Sequence, residues 1–216
     1  MSKRIDIPKR LIYTCNCGSV DKAHLRDPQA REYVGAKNLW KQIKRETGIS
    51  EGHFPNGDKG FVTLYKQDMG SSLIKVGKIT REYLVKYGLS ETKKKSIALT
   101  IFQEVSVAFE KNQAGFPWSF ISDSGFSQED LVSNLLGFYL AVNGYDEMYI
   151  MQLCKSVSKE ASFEVWDKDG AVGKNKNHDW KPMFHSCSEC KGTPVFPSVF
   201  QTIQPAIKGV DFIEWG

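Results

Sequence analysis

The chain lacks the sequence signatures of several common enzyme classes. It has no Gly-x-Ser-x-Gly elbow, no glycine-rich phosphate loop ahead of a helix and no His-Glu-x-x-His helix. These absences argue against a serine hydrolase, a nucleotide-binding enzyme and a zincin protease. No run of about 18 apolar residues exists, so we expect no membrane span. The first ten residues are charged and lack the apolar core of a signal peptide. This predicts a protein that is cytoplasmic in the producing cell unless a signal-independent machine exports it.

The chain also has little excess charge. Its formal net charge is +4 over 216 residues, whereas a dedicated nucleic-acid binder usually shows a stronger or more clustered basic excess. We therefore do not expect nucleic acid as a partner. The length is enough for a sizeable core in one large domain or two small ones, and we predict a single domain, residues 1–216.

Helical spacing of apolar residues dominates the middle of the chain. Capping and periodicity predict helices over about residues 27–47, 80–87, 91–111, 127–143 and 147–165. Short strands are predicted at 11–14, 61–65 and 74–76. Together these patterns predict a mainly α fold: one compact helical domain with a few short β-strands. Its helical core would cover about residues 27–165, and the C-terminal segment 166–216 would wrap around it.

Four of the five cysteines lie in close pairs near the two ends of the chain, Cys15 with Cys17 and Cys187 with Cys190. Chain termini are often near each other, so we expect the two pairs to lie close together. They could then form a tetrahedral zinc site, which makes zinc the one cofactor suggested by the sequence. A disulfide in an oxidising compartment and unpaired thiols are the alternatives. Cys154 lies in a helical pattern and is predicted to be a core residue.

Histidine is scarce, with four residues in the chain, and His24 has the most polar surroundings. Asp21 precedes it by three residues, so the two can share one side of a helical turn. A carboxylate beside an imidazole fixes its tautomer and raises its basicity, which suits a general base or a metal ligand. Arg26 could clamp an oxyanion or a carboxylate. The alternative is structural: Asp21 and Asp27 cap turns, and His24 packs with its nitrogens satisfied.

Glu104 is the second candidate for chemistry. It falls at the margin of the apolar stripe of the 91–111 helix, where a carboxylate has a raised pKa unless it is paired. A general acid needs that property. The alternative is a salt bridge to Arg26 or to a lysine. Glu110 is placed on the opposite, polar side of the helix. We predict that His24 and Glu104 lie within about 8 Å of each other, the reach of a shared substrate.

The helix after residue 126 has a clear predicted start. Ser127 is a good N-cap, and Asp130 completes a capping box, with Glu129 adding favourable charge at the positive helix end. We therefore interpret both acids as structural. Gly137 in mid-helix costs about 1 kcal/mol relative to Ala, which predicts close approach by a neighbouring helix.

Trp118 and Phe120 belong to an aromatic segment between the two clearest helices. Aromatic rings there could line a groove, stack on a sugar or close over a substrate. Packing between the helices is the alternative. We take both as candidate substrate-binding residues.

Residues 11–15, followed by Gly18, Asp21, His24 and Arg26, resemble the opening of a bacterial family known as domain of unknown function 4056 (DUF4056). Residues 126–131 and 133–137 are similar to the same family, so the resemblance covers roughly residues 11–137. In that family the intervening helix carries a His-Glu pair, which corresponds here to Gln103 and Glu104; the change of His to Gln puts metal binding in doubt. The resemblance implies a mostly helical domain with His24 and Glu104 facing one pocket, and no established activity.

The leading functional hypothesis is a bacterial cell-envelope hydrolase that acts on peptidoglycan. It would be an antibacterial effector toxin of the type VI secretion kind, exported to a target-cell periplasm and countered by a cognate immunity protein. A basic balance suits an anionic wall polymer. In this scheme Glu104 is the general acid or base, His24 the partner base or ligand, Asp21 its orienting carboxylate and Arg26 the clamp. Two alternatives are a non-enzymatic helical interaction module with a structural zinc, of the immunity or adaptor type, and a cytosolic metal-dependent hydrolase of a small substrate.

Overall fold

The computed structural model describes residues 3–25, 32–68, 78–114 and 125–216. The chain divides into two compact units. The first consists of Met1–Arg26 and Glu110–Gln201, and the second of Asp27–Phe109 and Thr202–Gly216. Neither unit is one continuous stretch, because the chain passes between them three times. This division does not test the predicted single domain, residues 1–216, which stays a prediction.

The first unit combines a small β-hairpin with helices. Its elements are β1 (Leu11–Thr14), β2 (Gly18–Asp21), a short 3-10 helix (Lys22–His24), the end of α2 (Glu91–Ala114), α3 (Asp130–Asn143), α4 (Glu147–Cys154) and α5 (Lys159–Asp169). β1 and β2 are antiparallel, with Leu11 opposite Asp21. Gly18 has φ = 66°, a left-handed value that favours glycine, and a Cβ there would collide with the Met183 carbonyl oxygen.

Apolar side chains on the hairpin and α5 hold these elements of the first unit together. Tyr13 packs with Val157, Ala161 and Val165, and Leu11 packs with Ile7 and Val172. Helix α3 is buried along almost its whole length, with Leu131, Val132, Leu136 and Phe138 fully enclosed. Burial of each such side chain stabilises by about 1.5–3 kcal/mol, so α3 and the hairpin form a firm support for polar groups placed on them.

The second unit is built on a four-stranded antiparallel sheet. Its elements are α1 (Ala36–Arg45), β3 (Ser50–His53), β4 (Lys59–Asp68), β5 (Lys78–Lys86), the greater part of α2 and β6 (Phe212–Glu214). The strand order is β3-β4-β5-β6. One of its apolar clusters contains Phe54, Val62 and Leu84. Ile213 in β6 and Trp215 just after it pack against this cluster. The end of the chain therefore supplies an edge strand and part of the cover of this unit.

The predicted mainly α fold is wrong. Five helices are accompanied by two antiparallel sheets, of two and four strands, so the described part of the chain has an α+β fold. The clearest error is the predicted 80–87 helix, which is strand β5. Thr80 resembles a helix cap, but Ile79, Tyr83 and Val85 favour strands. Pairing with β4 along the whole of β5 outweighs the local cap signal.

Other predicted elements are closer to the structure. Strand 11–14 is confirmed as β1 and helix 91–111 as α2, while the 147–165 helix is two helices, because Lys155 takes a left-handed φ of 55° between α4 and α5. Of the predicted 27–47 helix, Ala36–Arg45 is helical, and residues 27–31 lie outside the described residues, as does the predicted strand 74–76. Within the described ranges, no helix has the length and apolar character needed to cross a bilayer.

Candidate active site

The β-hairpin positions a buried carboxylate in the first unit. Asp21 ends β2 opposite Leu11, next to Arg10. Arg10 Nε donates to Asp21 Oδ2 at 2.7 Å, and the Ala23 N–H donates to Asp21 Oδ1 at 2.8 Å. Burial pushes the pKa of Asp21 up, but the Arg10 hydrogen bond and the His24 charge outweigh it and bring the pKa below its usual value. Asp21 is therefore a stable anion at neutral pH.

His24 lies three residues further on, at the end of the 3-10 helix. Its Nδ1 is 2.7 Å from Asn134 Oδ1, and its Nε2 is 3.8 Å from Asp21 Oδ2. The predicted Asp21–His24 neighbourhood is therefore present, but the hydrogen-bond partner of the imidazole is Asn134, a residue that the sequence analysis did not single out. A quarter of the His24 side chain is exposed, so solvent reaches the ring.

Gly137 explains how His24 comes so close to α3. A Cβ at Gly137 would collide with the backbone carbonyl oxygen of His24. The predicted close approach at this glycine is confirmed, although the neighbour is the 3-10 helix rather than an α-helix. Asn134 lies one helical turn before Gly137, so both residues meet the His24 segment on the same face of α3.

Two further carboxyl groups meet where α2 ends and α3 begins. The side chains of Glu110 and Asp130 are hydrogen-bonded to each other. An ionised carboxylate can only accept, so this contact requires one shared proton. The Phe126 N–H donates to Glu110 Oε2 at 3.0 Å, and the Ser127 N–H donates to Asp130 Oδ2 at 2.9 Å. Phe126 has φ = 56°, unfavourable for a bulky residue, and its bond to Glu110 holds that turn.

The surroundings make both acids hard to ionise. Burial raises the pKa of Glu110, partly opposed by its backbone hydrogen bond and the positive charge of His24. The pKa of Asp130 is raised well above its usual value, first by burial and then by the negative charges of Glu110 and Glu129. Strongly perturbed acids beside a histidine are typical of functional sites.

The sequence interpretation of these acids needs two corrections. Glu110 was placed on the polar side of its helix, but it is 2% exposed. Its position eight residues after Phe102 and four after Ser106, both also buried, was the signal that it shares their helix face. The capping box is half present, because Asp130 accepts the Ser127 N–H, but α3 begins at Asp130 with Glu129 in the N-cap position. Capping alone therefore does not account for Asp130.

Glu104 has a different environment in the second unit. It accepts a hydrogen bond from the Tyr83 hydroxyl at 2.9 Å, and its Oε2 is 2.8 Å from Lys208 Nζ. The alternative interpretation, a salt bridge to a lysine, is what the structure shows. Because His24 belongs to the first unit, its predicted approach to Glu104 stays a prediction. Three other predicted site residues, Arg26, Trp118 and Phe120, lie outside the described residues.

The cysteines form two disulfides in the first unit. Cys15 is bonded to Cys190 and Cys17 to Cys154, with Cα–Cα distances of 5.3 and 5.1 Å, while Cys187 is a free thiol. The predicted approach of the chain ends is confirmed for Cys15 and Cys190. Cys154 is a core residue, as predicted, but it is also cross-linked. Zinc binds thiolates, so the predicted zinc site of Cys15, Cys17, Cys187 and Cys190 would require the reduced chain and stays a prediction.

Comparisons with known proteins add no further guide to this site. No family model, curated protein or solved structure matches the chain, and the resemblance to DUF4056 stays a prediction. Among the described residues, no group of three or more His, Cys, Asp or Glu side chains is arranged to hold a metal ion. Function therefore has to be argued from the chemistry of the site itself.

Proposed function

We propose that the first unit is a hydrolase that works by general acid–base catalysis on bacterial cell-envelope peptidoglycan. The observation that carries this proposal is the proton-sharing pair Glu110–Asp130, electrostatically coupled to His24 and Asp21. Groups whose environments push their pKa values apart mark the acid and the base of a catalytic site. Here the pKa of Asp21 is lowered, while the pKa of Asp130 is raised.

The site residues can together carry out a hydrolytic step. His24 takes a proton from water, and the water oxygen attacks the electrophilic carbon of the scissile bond. Asp130, the less buried member of the acid pair, donates the shared proton to the leaving atom as the bond breaks. Asp21 stabilises the imidazolium by its charge, and Arg10 keeps Asp21 ionised. The proton on His24 then returns to the acid pair. Acid–base groups of this kind contribute roughly 10²–10⁴-fold to a rate.

Two properties of the chain support the envelope as the place of action. Disulfides form and persist in oxidising compartments such as the bacterial periplasm, and the first unit contains two of them. The net charge of +4 suits association with an anionic wall polymer. We therefore keep the proposal of an effector that is delivered into a target-cell periplasm, with a cognate immunity protein as its partner.

Expression in the two compartments of a bacterium tests the proposal. The chain is produced in the cytoplasm or, behind an added secretion signal, in the periplasm, together with His24→Ala and Asp130→Asn. Asp167→Asn is the matched control, because Asp167 forms an exposed ion pair with Arg4. We expect lysis only in the periplasm, by wild type and the control. Equal lysis by His24→Ala, or lysis from the cytoplasm, would contradict the proposal.

Digestion of purified sacculi identifies the bond. Wild-type protein should release soluble fragments, and their masses distinguish new sugar ends from new amide ends. Asp130→Asn should release them at least about 10²-fold more slowly, because the proton donor is lost. Intact sacculi after incubation with folded wild-type protein would rule out this substrate.

A further inference from the structure

We infer that Asn134 is the positioning residue of His24. Its carbonyl oxygen fixes the histidine tautomer with the proton on Nδ1, and its amide N–H is kept for a carbonyl oxygen of the substrate. This inference rests on the proposed hydrolase function, since it names the base atom of that site and a group that the substrate must carry.

The tautomer follows from an account of the donors and acceptors around the ring. Both oxygens of Asp21 already accept bonds, Oδ2 from Arg10 and Oδ1 from the Ala23 N–H. His24 Nε2 is 3.8 Å from Asp21 Oδ2, which is too long for a hydrogen bond. In contrast, Nδ1 is 2.7 Å from Asn134 Oδ1, which can only accept. The ring proton therefore lies on Nδ1, and Nε2 keeps a free lone pair as the base.

The other half of the Asn134 amide points to a ligand. Asn134 is 7% exposed, and its buried Nδ2 has no hydrogen-bond partner among the described residues. A buried donor without a partner is unfavourable, and such groups are rare in native structures. Nδ2 shares an amide carbon with Oδ1, so it lies within a few ångström of the His24 ring. An acceptor oxygen next to the scissile bond would satisfy it.

The chemical class of that oxygen follows from the donor. A neutral amide N–H matches a neutral carbonyl oxygen, such as that of a peptide bond or an N-acetyl group, and these groups are abundant in peptidoglycan. Asn134 also lies four residues after Asp130 on α3, so the acid and the amide share one helix face. A substrate carbonyl bound by Nδ2 would therefore stand near both the base and the acid.

The tautomer can be measured without any activity assay. In ¹⁵N-histidine-labelled protein, long-range ¹H–¹⁵N spectra distinguish a protonated Nδ1 from a protonated Nε2. We expect neutral His24 to be protonated on Nδ1 in wild type and in Asn143→Ala, a control on the same helix. Asn134→Ala should shift the population toward protonated Nε2. A wild-type ring protonated on Nε2, or an unchanged tautomer in Asn134→Ala, would overturn the inference.

Kinetics of sacculus digestion separate the two roles of the amide. Asn134→Asp keeps an acceptor for Nδ1 but loses the N–H, so the tautomer should be retained while kcat/KM falls roughly 10²-fold, the cost of one lost donor. Its added charge should also move the basic limb of the pH profile upward, which a purely structural role would not do. Wild-type kcat/KM in Asn134→Asp would overturn the substrate contact. A protonated Nδ1 without any hydrolysis would discard the hydrolase and leave the positioning role.

Discussion

Glu110 and Asp130 place two acids where a protein interior disfavours charge. Burial raises the pKa of both groups, and the negative charge of Glu110 raises the pKa of Asp130 further. Their hydrogen bond requires one shared proton, which the unfolded chain would release at neutral pH. An amide at either position would make similar hydrogen bonds without the titration. Proteins retain such unfavourable groups chiefly where they are needed for function.

Replacement of Asp130 by Asn should therefore stabilise the protein. The unfolded carboxyl titrates near pH 3.9, and the native group titrates above it. Between those values the native state binds more protons than the unfolded state, so wild-type stability falls as pH rises through this window. Asp130→Asn lacks that loss and should be more stable than wild type at about pH 8, with little difference near pH 4.

Denaturant titrations of wild type, Asp130→Asn and the exposed control Asp167→Asn at several pH values measure this effect. The expected signature combines higher stability with lost hydrolysis in Asp130→Asn alone. A variant that is less stable than wild type at every pH would show that Asp130 is an ordinary helix-start residue.

At the scale of the element, helix α3 sets the spacing of the site residues. It carries Asp130, Asn134 and Gly137 on one face: Asp130 meets Glu110, Asn134 meets the His24 ring and Gly137 meets the His24 backbone. The helix itself was predictable from its apolar spacing, and so was the close approach at Gly137. The partner of Gly137 was not, because a local pattern does not reveal which distant segment packs on a helix.

The difference between local patterns and long-range contacts also separates the other correct predictions from the wrong ones. Helix α2 was predicted nearly to its observed bounds, because many consecutive residues repeat the helical period. Strand β5 was missed, because its identity depends on pairing with β4 and not on its own cap signal. Glu110 was missed because only its helical register with Phe102 and Ser106 indicated burial, and its charge alone does not show whether its partner is solvent or another acid. Asp21 and His24 were found because their pairing is local, three residues apart.

Gly137→Ala tests the close contact between α3 and the His24 segment directly. Alanine usually favours a helix by about 1 kcal/mol over glycine, but here its Cβ would collide with the His24 carbonyl oxygen. The backbone of the 3-10 helix would have to move, so we expect a net destabilisation of about 1–3 kcal/mol, the range for overpacking, and weaker hydrolysis. Gly170→Ala is a control of a different kind. Its added Cβ would meet open space, so the substitution would strain only the local backbone, which has φ = 84° at this position. A Gly137→Ala protein with wild-type stability and activity would contradict this account.

At the scale of the molecule, the disulfides make the order of the site depend on the redox state of the compartment. The hairpin that carries Asp21 is fixed at its turn by Cys15 and Cys17, each bonded to a cysteine distant in sequence, at separations of 175 and 137 residues. Cross-links over long separations restrict the unfolded chain strongly. In a reducing cytoplasm this hairpin would lose both disulfides, which would leave the first unit less ordered.

Thiol state should therefore control both stability and activity. Loss of either disulfide, in Cys15→Ser or Cys17→Ser, is expected to cost about 2–5 kcal/mol, because the unfolded chain gains freedom and the hairpin loses an anchor. Cys187→Ser is the matched control, since Cys187 is a free thiol, and its stability should stay within about 0.5 kcal/mol of wild type.

Protein purified from the periplasm and denatured without reductant should show one reactive thiol, and denaturant midpoints with and without reductant should differ for wild type and Cys187→Ser. Five reactive thiols in active protein, or an unchanged midpoint on reduction, would remove the disulfides from the account and return the cysteines to the predicted zinc site or to packing.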